Sequence, residues 1–287
     1  MLSICEADKA IRSVYRIARA HNDALNVETI ADLKAGYHDF LASRQPALPV
    51  NRSDDCFVRD LEAQQMLGAA FGKGSLNDLD QEHLVGGTYE RKLLERKIDL
   101  ARGALEEVMD SSEDFASVFD LVIHSVFIKA SRPSRHSLGS HGGSTSGSIG
   151  AIWFSVSDGV CHRDLVEMFV HELTHHLLFI DELNCPQFNY DLIVRPENYA
   201  RSAILKRHRP LDKVIHSIAV GATIVAARKK YLRLDQETLI HPATPILIAD
   251  TMIAIDSVLN LPQLNDLITP HTHGLIDECR DLCAGGA

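Results

Sequence analysis

The chain has 287 residues, 45% of them hydrophobic and 24% charged, enough apolar content to bury one large core or two modest ones. That composition excludes a disordered or fibrous protein, and 29 basic against 39 acidic side chains, a net charge of −10, argues against non-specific attraction to nucleic acid or to an anionic membrane. No run approaches the roughly 18 apolar residues of a membrane span, and the N-terminus lacks a signal-type apolar stretch, so the expected compartment is the cytoplasm.

Apolar residues recur at helical spacing from residue 7 to about 43, through Ile11, Val14, Ile17 and Ala18 and then Ile30, Leu33, Tyr37 and Leu41, with a break near 22–26. The pattern predicts two helices. The proline-bearing stretch 44–55 reads as a connector, and 57–71 and 88–109 read as further helices with a turn-rich stretch between them. Residues 1–115 are thus expected to form a helical N-terminal subdomain. At 119–130 (FDLVIHSVFIKA) a near-continuous apolar run predicts a buried strand, and 149–159 predicts a second. The Ser/Gly-rich segment 131–148 between them, with His136 and His141, is expected to be a mobile loop that could close over a substrate. A strongly apolar helix follows at 163–180, then an irregular stretch at 181–209. Three helices close the chain, one opened by Pro210, one at about 244–260 and one at about 272–284. The expected fold is α+β and predominantly helical, with a small β-sheet, and residues 116–287 form the domain that carries the chemistry. Six cysteines without a CxxC pair read as reduced thiols, and Cys279 and Cys283, four apart on the last helix, read as packing.

His171-Glu172-Leu173-Thr174-His175 is an HExxH motif inside the apolar helix. Positions four apart share a helix face, so both imidazoles can reach one metal ion while Glu172 points near an open coordination position, the arrangement of a zincin-like helix. His176 lies about 100° further round the helix and reads as packing. Two protein ligands are too few for a catalytic metal, so a third must come from elsewhere. Asp181 and Glu182 read as a polar helix end. Glu197 follows His175 by 22 residues, a spacing near that of thermolysin-like zinc peptidases, whose HExxH can also read HELTH. Their third ligand sits in an ExxxD sequence on a helix, whereas here position 201 is Arg in an irregular stretch. The metzincin pattern is absent, because 178 is Leu and 181 is Asp. His216 is the other candidate, beside the apolar face of the helix that Pro210 opens.

Over residues 119–284 the chain resembles the HExxH-motif proteins of peptide natural-product clusters, regarded as iron- and 2-oxoglutarate-dependent peptide β-hydroxylases. The resemblance rests on GSTSGSIGAIWFSVSDG, LVEMFVHELTHH, RHRPLDKVIHSIAV and LITPHTHGLIDECRDL in that order. In that family an Arg-Pro and then a histidine on the next helix follow the HExxH, as Arg209-Pro210 and His216 do here. The tryptophan usual before the Arg-Pro is missing, and the only Trp is Trp153.

The resemblance implies Fe(II) held by His171, His175 and His216, with three positions left for the keto-acid chelate of 2-oxoglutarate and for dioxygen. It implies a peptide or carrier-bound amino acid as substrate, hydroxylated at a β-carbon. The far carboxylate of 2-oxoglutarate needs a cationic fork, for which Arg209 is best placed and Arg201, Arg195 and Arg207 compete. The alternative is a gluzincin-type zinc peptidase with Glu197 as third ligand. The two readings give Glu172 opposite roles: general base in the peptidase, weak ligand or partner of a ligand in the oxygenase.

Overall fold

The computed structural model describes residues 2–71, 84–132, 140–232 and 238–285. Helix α1 (Ala7–His21) forms because Ala10, Val14, Ile17 and Ala18, spaced three and four apart, bury one face. α2 (Ile30–Arg44) opens on a Thr29/Asp32 capping box and lies against α1. α3 (Leu61–Ala70) is followed by α4 (Arg91–Ser111), which turns Leu94, Ile98, Ala101, Leu105 and Val108 inward. Ser112 caps α5 (Glu113–Val122) by accepting a hydrogen bond from the Phe115 N–H.

A small mixed sheet follows. β1 (Ser125–Ile128) and β3 (Ala151–Phe154) pair in parallel, with Ser125 opposite Ala151. β2 (Gly142–Gly143) pairs antiparallel with the other side of β3, giving the order β1-β3-β2. Every residue of β1 and β3 is buried, because helices cover both faces; their sequences therefore run apolar without alternation. Gly142 must be glycine for space, since a Cβ there would sit 2.6 Å from Phe154 Cδ1 and 2.8 Å from the Trp153 carbonyl oxygen.

Helix α6 (His162–Asn184) starts at Cys161, whose sulfur accepts from the Asp164 N–H while the Asp164 carboxylate accepts from the Cys161 N–H. α1, α4 and α5 pack against it, as does α8 (Leu211–Lys230). Between α6 and α8 lie α7 (Tyr190–Ile193) and an antiparallel pair, β4 (Ala200–Arg201) with β5 (His208–Arg209). α9 (Thr244–Leu259), α10 (Leu264–Leu267) and α11 (Pro270–Ala284) complete the chain. Residues of α8, α9 and α11, with Cys279 and Cys283 among them, form a second apolar core. No helix among the described residues is long and apolar enough to cross a membrane.

The fold is α+β and predominantly helical, as its sequence predicts. Several boundaries differ. Phe119–Val122 end helix α5 rather than begin a strand; Ser112 and the acidic first turn of Glu113 and Asp114 start a helix that the apolar run disguises. α3 begins at Leu61, because Phe57 is taken up in a parallel bridge to Val126. Of the expected loop 131–148, residues 133–139 with His136 lie outside the described residues, while 140–148 contain β2 and a 3-10 turn at Ser146–Ser148. The division near residue 115 falls within one apolar core that joins α1 and α4 to α6 and the sheet.

Gly150 enters β3 at φ +86°, and an added Cβ would lie 2.5 Å from His124 Cδ2. Gly150→Ala is expected to destabilise the protein by about 1–3 kcal/mol. Gly274→Ala, on the exposed face of α11 with nothing within 4 Å of the new Cβ, should be neutral or stabilising by up to about 1 kcal/mol. Urea unfolding of both variants checks the contrast.

Candidate metal centre

The site grows from α6. His171 and His175, one turn apart, bring their Nε2 atoms to 3.1 Å of each other, close enough for both to reach one ion at the usual nitrogen–metal distance of about 2.1 Å. The Glu172 carboxyl, almost wholly buried, places Oε1 4.0 Å from His171 Nε2. Its Oε2 accepts a 2.7 Å hydrogen bond from Ser144 Oγ, just beyond β2. Donor atoms of His171, Glu172 and His175 all lie within 4.8 Å of one another. His216 comes from α8 and stacks on His175, ring centroids 5.1 Å apart. It meets His175 Nδ1 through its own Nδ1 at 2.9 Å, rather than joining the Nε2 pair.

These side chains face a cavity of about 410 Å³. β2 with Ser144 and Thr145 forms one wall; Arg209, Lys213 and His216 line the α8 side, and Leu205 and Leu239 stand at the rim. Burial holds the His171 and His175 imidazoles well below their usual pKa, aided by the neighbouring imidazoles. Burial, then Lys213 and Arg209, push His216 down to about 3. All three rings are therefore neutral at pH 7 and have a nitrogen lone pair for a metal. Burial drives Glu172 the other way, up to about 8, against the lowering effect of the Ser144 hydrogen bond. Neutral nitrogen donors beside one carboxyl suit iron or zinc better than magnesium or calcium.

The other candidates lie elsewhere. Glu197 sits on an exposed 3-10 turn, Pro196–Asn198, and does not line the cavity, which removes the gluzincin-type third ligand. Of the two arginines named for the co-substrate, Arg209 lines the cavity and Arg201 does not; Arg201 belongs to β4, where its N–H donates to Ser257 Oγ. Arg195 and Arg207 are also outside the lining. His176 faces the sheet, where Nδ1 accepts from the Gly150 N–H at 3.1 Å. Asp181 accepts from Gln187 and lies 2.7 Å from His271 Nε2, and Glu182 accepts from the Tyr190 hydroxyl. His141, in the expected loop, lines the cavity and contacts Ser157 Oγ at 3.3 Å.

Sequence reasoning misses three functional groups. Lys213, one turn before His216, lines the cavity. His241, fully buried, places Nε2 2.9 Å from His171 Nδ1 and Nδ1 3.1 Å from Glu167 Oε2. Glu167 stands one turn before His171 on α6, a helical spacing that could have signalled it. His241 carries no such signal, because it reaches the site from a segment after α8 with no motif of its own.

Compared with known proteins, the chain matches no family model and no curated sequence.

Glu172 generates a prediction about stability. Its carboxyl titrates near 4.5 when unfolded and about 8 when folded, so the unfolded chain gives up its proton first and the stability of chelator-treated protein falls as pH rises between those values. Glu172→Gln removes that loss. The variant should gain stability relative to the parent at pH 8.5 compared with pH 5, in urea unfolding. An equal difference at both pH values would contradict the raised pKa.

Proposed function

We propose that the chain is an Fe(II)- and 2-oxoglutarate-dependent oxygenase that hydroxylates a β-carbon of a peptide or of a carrier-bound amino acid. The observation that carries this reading is the α8 wall of the cavity: the third-ligand candidate there is the histidine His216, flanked by Arg209 and Lys213, while Glu197 is exposed and outside the lining. Histidine donors with a cationic wall fit a metal that also takes an anionic chelator.

In this reading His171, His175 and His216 would be the residues that hold the iron. When bound with 2-oxoglutarate and dioxygen, iron supplies the oxidising power to hydroxylate a carbon, with succinate and carbon dioxide as the other products. The protein's own side chains do the rest. Arg209 and Lys213 take the far carboxylate of the co-substrate as charge-assisted donors. Ser144 fixes Glu172, whose buried carboxyl is mostly protonated at pH 7 and so adds little negative charge beside the iron. Phe179 packs against the His175 and His216 rings and keeps water from their far faces. The exposed Leu205 and Leu239 give the substrate an apolar rim to enter over.

A second reading, a zinc hydrolase with Glu172 as general base, is favoured by one observation, the 4.0 Å approach of its carboxyl to His171 Nε2.

Anaerobic purification followed by metal analysis and a 2-oxoglutarate titration in the visible separates them. Iron with a keto-acid charge-transfer band is the expected result; tightly bound zinc with no band after exchange to Fe(II) would overturn the oxygenase. His171→Ala and His175→Ala should each weaken metal binding by roughly 100-fold or more, and Glu197→Ala should not change it. Arg209→Ala should raise the 2-oxoglutarate requirement by about 10–100-fold, the range of a lost charge-assisted hydrogen bond.

A further inference from the structure

We infer that His241 is a positioning residue that fixes the tautomer of His171, setting its Nδ1–H inward and its Nε2 lone pair toward the cavity. The inference rests on the reading of His171 as a metal ligand, and the geometry behind it is independent of which metal binds.

The chain of contacts starts at Arg228 on α8. Its Nε donates to Glu167 Oε1 at 2.6 Å and its Nη2 to Glu167 Oε2 at 2.8 Å, a two-pronged pairing that keeps the buried carboxyl ionised. An ionised carboxylate only accepts hydrogen bonds. The 3.1 Å contact from Glu167 Oε2 to His241 Nδ1 therefore requires the proton on Nδ1. A His171 that ligates through Nε2 carries its proton on Nδ1. The atom facing that proton is His241 Nε2, 2.9 Å away, so His171 donates from Nδ1 to His241 and turns Nε2 toward His175.

The apparatus is built to hold this register. Arg228 Nη1 donates to the Pro242 carbonyl, and Thr238 Oγ1 accepts from Arg228 Nη2 while donating to the His241 carbonyl. Asp164, in the first turn of α6, accepts from the N–H groups of Leu239 and Ile240. Both sides of His241 are thus tied to α6 and α8, and the fully buried ring has no room to turn over without losing both of its partners. Among the described residues, the group that meets His175 Nδ1 is not a carboxylate but another imidazole, His216. The two HExxH histidines are therefore unequal, and His171 is the one whose ligand nitrogen the protein prepares in advance.

The test compares His241→Leu, which fills the space without hydrogen bonds, with His241→Gln, whose amide can donate to Glu167 and accept from His171. Co(II) affinity is measured by chelator competition on the full chain, and the tautomer of His171 is read by long-range ¹H–¹⁵N correlation in chelator-treated protein labelled at histidine nitrogen. His241→Leu is expected to lose about 10–100-fold in Co(II) affinity, the range for a partner that orients a ligating histidine, and to move the His171 proton toward Nε2. His241→Gln should recover most of the affinity and keep the proton on Nδ1. A general loss of structure would lower the thermal midpoint in both variants and would not sort them by tautomer. Folded His241→Leu that binds Co(II) as tightly as the parent, or that keeps the His171 proton on Nδ1, overturns the role of His241. A parent protein that holds its proton on Nδ1 yet binds Co(II) no better than His171→Ala instead overturns the metal-site reading, leaving the tautomer assignment standing.

Discussion

Helix α6 is enclosed almost all the way round, sixteen of its 23 residues being buried, and the polar groups it carries inward have to be matched there. An unmatched buried donor or acceptor costs about 1–3 kcal/mol, more for a charge. Asp164 draws in the backbone of Leu239 and Ile240. Glu167 draws in Arg228 from α8 and His241 from the segment after it. Glu172 takes Ser144 from beyond β2, His176 takes the Gly150 N–H at the entry to β3, and Asp181 takes Gln187. Five polar residues on one helix thus fix the chain at Ser144, Gly150, Gln187, Arg228 and 239–241, and of these Ser144, Leu239 and Ile240 line the cavity.

The division of labour around the helix follows from its period. Leu165, Val166, Phe169 and Leu173 meet the apolar core shared with α1, α4, α5 and the sheet, which provides most of the free energy that keeps α6 in place. The polar stripe faces the cavity and the segments that close it. Because the same helix supplies both faces, the candidate metal donors inherit the rigidity of the core, as a preorganised site requires. The histidines are partly relieved of the usual conflict between burial and polarity, because a neutral imidazole needs only one donor and one acceptor, whereas the carboxyls need a cation, as Glu167 has, several N–H donors, as Asp164 has, or a proton, as Glu172 keeps.

What could be read from the sequence was local. The HExxH spacing, the helical face of α1 and α4, and the helix opened by Pro210 are short-range patterns, and they appear where the periodicity puts them. The errors came where two short-range signals conflicted or where tertiary contacts decided. Phe119–Val122 have strand-like side chains, yet Ser112 and the acidic first turn govern them and they are helical. The Ser/Gly-rich composition of 140–148 predicts mobility, yet the edge of β3 captures Gly142–Gly143 as a strand. His241 was invisible because its role depends on Glu167, 74 positions away. Glu197 had the better family spacing and the worse position, since spacing along an irregular stretch does not determine direction in space.

The electrostatic design of the cavity is lopsided, and the asymmetry carries a chemical preference. On the α6 side the charges are internally settled: Glu167 is balanced by Arg228, Glu172 is held toward its neutral form by burial, and the imidazoles are neutral. On the α8 side Lys213 and Arg209 line the cavity, and both lower the pKa of His216. Lys213 is partly answered by Asp212 at 3.1 Å, so the field it adds is moderated rather than cancelled. If the floor holds a metal, as proposed, such a cavity would favour a ligand that brings negative charge to both the floor and the wall. On the proposed reading a small dicarboxylate would satisfy both, and the apolar rim at Leu205 and Leu239 would be left for the molecule to be modified.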